Sequence, residues 1–149
     1  MNIEEALQQP RFHSPTQKAM LNILYTYHWY VGHTQQVFQA FDLTMQQFNV
    51  LRILRGRHPE WVTMSAVKEV MLDKNPDLTR LCDRLQARGY LERDINPANR
   101  RQVWARLTPA GLELLGLVGP KIGEAAKAWS NLTDEEARQL SDLLDKMRG

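Results

Sequence analysis

The chain has 149 residues with 19 Lys and Arg against 17 Asp and Glu, a formal net charge of +2. This is enough for one domain with a real core, or for half of a symmetric dimer. A single cysteine, Cys82, excludes an intrachain disulfide. Nothing at the N-terminus has the basic, apolar and small-residue regions of a secretory signal, so the cytoplasm is the expected compartment. Ala19 to Phe41 carries no formally charged residue and is long enough to span a bilayer. However, Asn22, Thr26, His28, His33, Thr34, Gln35, Gln36 and Gln39 interrupt it, and lipid tolerates such a polar load poorly. A long helix buried between protein surfaces is expected there, and no membrane span.

Capping signals divide the chain. Roughly Pro15 to Ala40 reads as one helix with Leu21, Leu24, Tyr25, His28 and Trp29 on a broad apolar and aromatic face. Thr44 with Gln47 makes a capping box ahead of Met45, Phe48, Leu51 and Leu54, which recur at helical spacing. Val62 and Thr63 suit a short extended entry to a helix from about Ser65 to Leu72, which Asp73 and Lys74 break. Asn75 then offers an N-cap, Pro76 fits the first helical position and Asp77 complements the helix dipole. A helix is therefore predicted from there to Arg88, closed by Gly89. Tyr90 to Arg93 reads as a strand, 94–101 as a turn centred on Asn96-Pro97, and Gln102 to Leu107 as a strand alternating Val103, Ala105 and Leu107 against Gln102, Trp104 and Arg106. Thr108 caps a further helix with Pro109 at its first position, running through Leu112, Leu115 and Val118, and Gly119-Pro120 predicts a kink or break in it. A second capping box, Thr133 with Glu136, starts a last helix carrying Leu140, Leu143, Leu144 and Met147.

The near-neutral net charge hides one basic segment. Residues 80–112 hold seven Arg and no Lys against Asp83, Glu92 and Asp94. Arginine favours planar, bidentate contacts to phosphate or guanine over diffuse attraction. The helix ending at Arg88 puts Leu78, Leu81, Cys82 and Leu85 on one face. Pro76, Arg80, Asp83 and Ala87 lie on the other, flanked by Thr79 and Arg84. Two adjacent amphipathic helices occur in many folds. A helix-turn-helix followed at once by a basic hairpin is a winged helix, in which recognition helix and wing grip DNA.

The segments LTMQQFNVLRIL (43–54), TRLCDRLQARGYLER (79–93), NRR (99–101) and RLTPAGLELL (106–115) resemble, in order and spacing, the multiple-antibiotic-resistance regulator (MarR) family of bacterial transcription factors. The resemblance covers nearly the whole chain. It implies a mainly α fold with a small β-hairpin, a winged helix-turn-helix lobe at about 44–107, and N- and C-terminal dimerisation helices at about 5–40 and 110–147. A homodimer is implied, and the apolar stripes of the terminal helices agree with it, the alternative being a monomer folding them back on itself. The expected DNA-binding residues are Lys74, Asn75, Asp77, Thr79, Arg80, Asp83, Arg84, Arg100 and Arg101, acting on double-stranded DNA. In the family's pattern the Asp of the recognition helix pairs with the last Arg of the wing, which are Asp83 and Arg101 here. The wing usually begins with Asp where this chain has Asn99, which puts the local wing salt bridges in question.

The expected function is a dimeric regulator that represses by occupying a pseudo-palindromic operator; the alternative is a winged helix serving as a protein-interaction module without operator binding. The resemblance also implies a small aromatic effector, for which Tyr25, His28, Trp29, His33 and Arg55 are the candidate residues, although such clustering also builds plain core. His28 and His33 are awkwardly spaced for one helical face, so no metal is expected. Cys82 falls on the apolar face, where thiols are usually inert. No phosphate loop, nucleophile–base pair or catalytic carboxylate pair stands out, and neither an enzyme nor a cofactor is expected.

Overall fold

The computed structural model describes residues 1–149 and is mostly helical, with seven helices and one small antiparallel sheet. Helix α1 (Ile3–Leu7) precedes the long α2 (Pro15–Gln39), which starts where the Ser14 hydroxyl accepts from the Gln17 amide at 3.1 Å and Pro15 takes the first helical position. The predicted Thr44/Gln47 capping box opens α3 (Met45–Arg57). Strand β1 (Val62–Thr63), α4 (Met64–Val70), α5 (Leu78–Ala87), β2 (Leu91–Ile95) and β3 (Val103–Leu107) complete a lobe, and α6 (Pro109–Trp129) and α7 (Asp134–Arg148) follow. No helix is long and apolar enough to cross a membrane.

The sheet order is β1-β3-β2, with Val62 opposite Ala105, and Leu91 opposite Leu107. Its inner face places Leu91, Ala105, Leu107 and Val62 against Val50, Leu51 and Leu54 of α3 and Leu81, Cys82 and Leu85 of α5, in a cluster of 18 buried residues. Each such aliphatic side chain contributes about 1.5–3 kcal/mol on leaving water. The start of α6 joins the same core through Leu114, Leu115 and Val118. Gly111 is required there, because a Cβ would stand 2.0 Å from the Tyr90 carbonyl oxygen. Outside this lobe burial is sparse, and α7 contains no buried residue.

Several boundaries differ from expectation for identifiable reasons. The N-cap of α5 is Asp77, whose carboxylate accepts from the Arg80 amide at 3.2 Å; Asn75 is instead held in a turn by the Asp73 carboxylate, which accepts its amide at 3.0 Å. Helix α4 stops at Val70 because Met71 adopts an extended conformation that turns its side chain into the core, leaving Leu72 73% exposed. The hairpin strands run to Ile95 and begin at Val103, and β1 adds a third strand to it. Helix α6 passes through Pro120 without breaking. Gly116, whose carbonyl loses its backbone partner to the proline, is exposed, so water can replace the missing donor.

Candidate nucleic-acid interface

The amphipathic spacing of α5 fixes what it can present. Leu78, Leu81, Cys82 and Leu85 are buried at 8% exposure or less, which turns Thr79, Arg80, Asp83 and Arg84 outward together. Just before the helix, Lys74 and Asn75 are exposed in the turn, and Asp77 is exposed as the cap. The helix N-terminus therefore carries polar side chains on an anchored scaffold.

The wing is closed by amides. Asn96 and Asn99 accept, through their side-chain oxygens, from the amides of Ala98 (3.0 Å) and Arg101 (3.2 Å), and the Asn96 side chain also donates to Gln102 Oε1 at 3.0 Å. Asn99 thus shapes the tip with hydrogen bonds and leaves both following arginines, Arg100 and Arg101, exposed without an acidic partner. A groove of about 530 Å³ separates wing from recognition helix, lined among others by Lys68, Asp77, Thr79, Arg93, Arg101 and Gln102.

The seven arginines of the basic segment divide into two sets. Arg88 pairs with Asp42, Arg93 with Asp83, and Arg106 with Glu92, so three are engaged within the lobe. Arg80, Arg84, Arg100 and Arg101 form no ion pair and donate no side-chain hydrogen bond, and all four are exposed. These four lie on the outward face of α5 and at the wing tip. Two of the three acids in the segment, Asp83 and Glu92, are taken by the paired set.

The expected Asp83–Arg101 pair does not form. Arg93 lies two residues after the buried Leu91 on β2, on the same face of the sheet, and so faces α5, where its Nε donates to Gln86 Oε1 at 2.7 Å and its terminal nitrogen binds the Asp83 carboxylate. Arg101, in the wing turn, lines the groove without an acidic partner. Sequence reasoning missed Arg93 and Lys68 as groove residues; for Arg93 the available signal was its i, i+2 spacing from the apolar Leu91, which puts both on one face of the strand.

The aromatic residues of α2 do not surround one cavity. Tyr25 and Trp29 line a cavity beside Trp129, while His33 packs on Trp29 and Trp129 with ring centroids at 4.6 and 5.1 Å and its Nδ1 lies 2.8 Å from the Trp29 carbonyl. His28 and Arg55 are exposed and line neither this cavity nor the groove beside the wing. A cleft of about 750 Å³ between α2 and the helix-turn-helix is lined instead by Tyr27 and Tyr30 with Met45, Asn49, Leu72 and Lys74. Cys82 is fully buried, its sulfur 3.8 Å from Met64 Sδ, and burial pushes its thiol up to about 11.

Comparison with known proteins agrees with this geometry. The MarR family model matches residues 41–102, the helix-turn-helix and most of the wing. The uncharacterized HTH-type transcriptional regulator YkoM of Bacillus subtilis is 33% identical over 101 residues, 67% of this chain and 64% of that protein. The multiple antibiotic resistance protein MarR of Salmonella typhimurium is 33% identical over 108 residues, 71% of this chain and 74% of that protein. Among solved structures, a MarR transcription factor from Planctomyces limnophilus has a TM-score of 0.70 at 36% identity, over 93% of this chain and 98% of that one. A mutant Escherichia coli MarR complexed with operator DNA has a TM-score of 0.68 at 31% identity, over 84% and 89%. Bordetella bronchiseptica BpsR, whose DNA binding is regulated by 6-hydroxynicotinic acid, has a TM-score of 0.78 at 26% identity, over 89% and 99%. The chain belongs to the MarR family of winged-helix, DNA-binding transcriptional regulators.

Proposed function

We propose that the protein is a homodimeric repressor that grips a pseudo-palindromic duplex with two copies of the α5 face and wing. The observation that carries this reading is the set of four unpaired, exposed arginines on α5 and the wing tip. Lys74, Asn75, Asp77, Thr79 and Asp83 border it: Thr79 and Asn75 are suited to base edges or phosphate oxygens, Lys74 to phosphate, Asp77 to holding the helix start, and Asp83 to holding Arg93. Arg100 and Arg101 would reach the minor groove beside the major-groove helix. Occupying a promoter in this way obstructs transcription, and the protein would act in the cytoplasm, where bacterial DNA lies.

The surface supports a dimer. The chain exposes 10705 Å², whereas a compact monomer of 17.3 kDa would expose about 7,800 Å². The excess suits an obligate interface. Leu140, Leu143 and Met147 are exposed at helical spacing on α7, with Leu144 half-buried beside them, and Met20, Ile23 and Leu24 on α2 are exposed as well. A second copy would cover these faces. Sedimentation at micromolar concentration is expected to give a mass near twice 17.3 kDa.

An effector fits the cleft between α2 and the helix-turn-helix. Tyr27 and Tyr30 offer aromatic faces, Leu72 and Met45 apolar contact, and Lys74 a cation, while the Asp73 carboxylate on the same wall is taken up by the Gln46 side chain and the Asn75 amide, a set that suits an aromatic carboxylate. Regulation of BpsR by 6-hydroxynicotinic acid supports such a ligand class. A ligand that weakens operator binding must itself bind less tightly to the DNA complex.

The test is selection of bound sequences from a random duplex library. An inverted repeat with half-sites about one helical turn apart, roughly 10 base pairs, is expected. A failure to enrich any sequence, with binding indifferent to salt, would overturn the operator reading.

A further inference from the structure

The end of the recognition helix is tied to both helices that leave the lobe. At one side Arg88, the C-cap of α5, donates to the carbonyl oxygens of Phe41, at 3.1 Å, and of Asp42, just beyond the C-terminus of α2. Asp42 has a left-handed backbone (φ +51°), and its own carboxylate is 3.8 Å from the same guanidinium. At the other side the Gly89 and Tyr90 carbonyls accept from the Thr108 hydroxyl and the Thr108 amide, the latter at 3.2 Å, at the start of α6. The close approach of Gly111 to the Tyr90 carbonyl leaves that side no slack.

Two independent features single out Arg88 within this junction. The 25-residue α2 has no basic residue in its last turn, and the cation beside its C-terminus comes from α5, donating to the Phe41 and Asp42 carbonyls just past the helix end. The guanidinium is also confined from behind by Tyr90, 4.9 Å from its ring centroid and 3.4 Å from its hydroxyl. A side chain held by two carbonyls and a ring fixes an angle as well as a distance.

The leverage is large. Helix α5 has 10 residues and is therefore about 15 Å long, so a tilt of about 13° about the pinned end moves its free end by about 3.4 Å, one base-pair rise. Building on the dimeric, DNA-binding function proposed above, we propose that Arg88 is a positioning residue. It sets the angle between the recognition helix and α2, and thereby the half-site spacing that the dimer selects.

The experiment measures binding of wild type, Arg88→Met and Arg88→Lys to duplexes carrying the selected half-sites at the preferred spacing and at spacings one or two base pairs shorter and longer. Methionine keeps the aliphatic packing and removes the donors; lysine keeps a charge and a donor. Wild type is expected to prefer one spacing by at least about tenfold, and Arg88→Met to lose most of that ratio, the scale expected for hydrogen bonds to a charged group. The slope of log affinity on log salt should not change, and Arg88→Lys should recover part of the ratio. If Arg88→Met does not fold, as judged by circular dichroism, the Arg88→Lys ratio decides: a reduced preference supports the proposal and an unchanged one overturns it. A retained spacing preference in every folded variant overturns the proposal and leaves the dimeric function standing. A retained preference with a slope shallower by about 0.9 per protomer would make Arg88 a phosphate ligand instead. A wild type without any spacing preference would remove the dimeric function itself, and this proposal with it.

Discussion

Replacing Arg100 by Ala and, separately, Arg106 by Gln tests the division of the arginines into free and engaged sets. Arg100 is exposed at the wing tip with no acidic partner, whereas Arg106 binds the Glu92 carboxylate and lies 4.4 Å over the Trp61 ring. The proposed dimer carries two copies of Arg100. If each neutralises one phosphate, the slope of log affinity on log salt becomes shallower by about 1.8 in the Ala variant, and a fourfold rise in salt then separates wild type from variant by about 12-fold. Arg106→Gln removes an ion pair whose partners are 40% and 46% exposed, together with its exposed cation-π contact. Solvent screening limits that loss to roughly 1 kcal/mol of stability and leaves the salt slope intact. Fluorescence anisotropy of a labelled, selected duplex over a salt series reads the slopes, and urea denaturation reads the stability. The division is refuted if Arg106→Gln flattens the slope as much as Arg100→Ala does, or if Arg100→Ala leaves it unchanged.

Asp83→Asn and Arg93→Gln should be coupled in a double-mutant cycle read by urea denaturation, at roughly 0.5–1 kcal/mol because Asp83 is half-exposed, while Asp83→Asn and Arg101→Ala should be additive within about 0.5 kcal/mol. Asp77→Ala should lower stability by about 1 kcal/mol through loss of the α5 cap, and Asn75→Ala, whose side chain makes no hydrogen bond, by no more than about 0.5 kcal/mol; thermal denaturation of both distinguishes the two capping assignments. The Cys82 thiol, raised by burial from its ordinary value to about 11, should resist a thiol reagent in the native protein at pH 7 and react on unfolding. The same shift means the native state holds its proton where the unfolded chain has lost it. Stability should therefore fall as pH rises from 9.0 toward about 11, and that component should be absent in Cys82→Ala.

The elements most legible in the sequence are those whose local signals agree with the core. Thr44 with Gln47, Thr108 with Pro109, and Thr133 with Glu136 each satisfy terminal amides by short-range bonds, and all three helix starts lie where the residues place them. The N-cap of α5 was misplaced because three adjacent polar residues compete. Asn75 has the right chemistry, but Asp73 already binds its amide, and the choice falls to Asp77. Helix α1 was overlooked although Asn2 and Glu5 form a capping box, since five residues show too little periodicity. The arginine partners were the least legible feature. Which acid meets Arg93 depends on β2 packing across α5, a long-range placement that neither residue's neighbours encode. Arg80 and Arg84 were legible from the outward face of the helix and Arg100 and Arg101 from the wing, and the freedom of all four is a consequence of where the acids went.

The distribution of burial also bears on how regulation must work. The lobe owns an 18-residue core that includes Phe38 of α2 and Val118 of α6, so the inner ends of both helices move with the DNA-binding surface. Their outer portions and α7 expose Met20, Leu24, Leu117, Leu143 and Met147, which the second chain of the proposed dimer would cover. A close-packed lobe transmits a displacement of α2 as a rigid body and does not absorb it. The cleft beneath Tyr27 and Tyr30 spans the boundary between these two regions, with α2 on one side and Leu72 and Lys74 on the other. In the proposed dimer, a ligand seated there would have differential contacts in two arrangements of lobe and dimer helices, which is the physical requirement for shifting between them. A ligand that touched only the lobe core would stabilise the fold and leave the separation of the recognition helices unchanged.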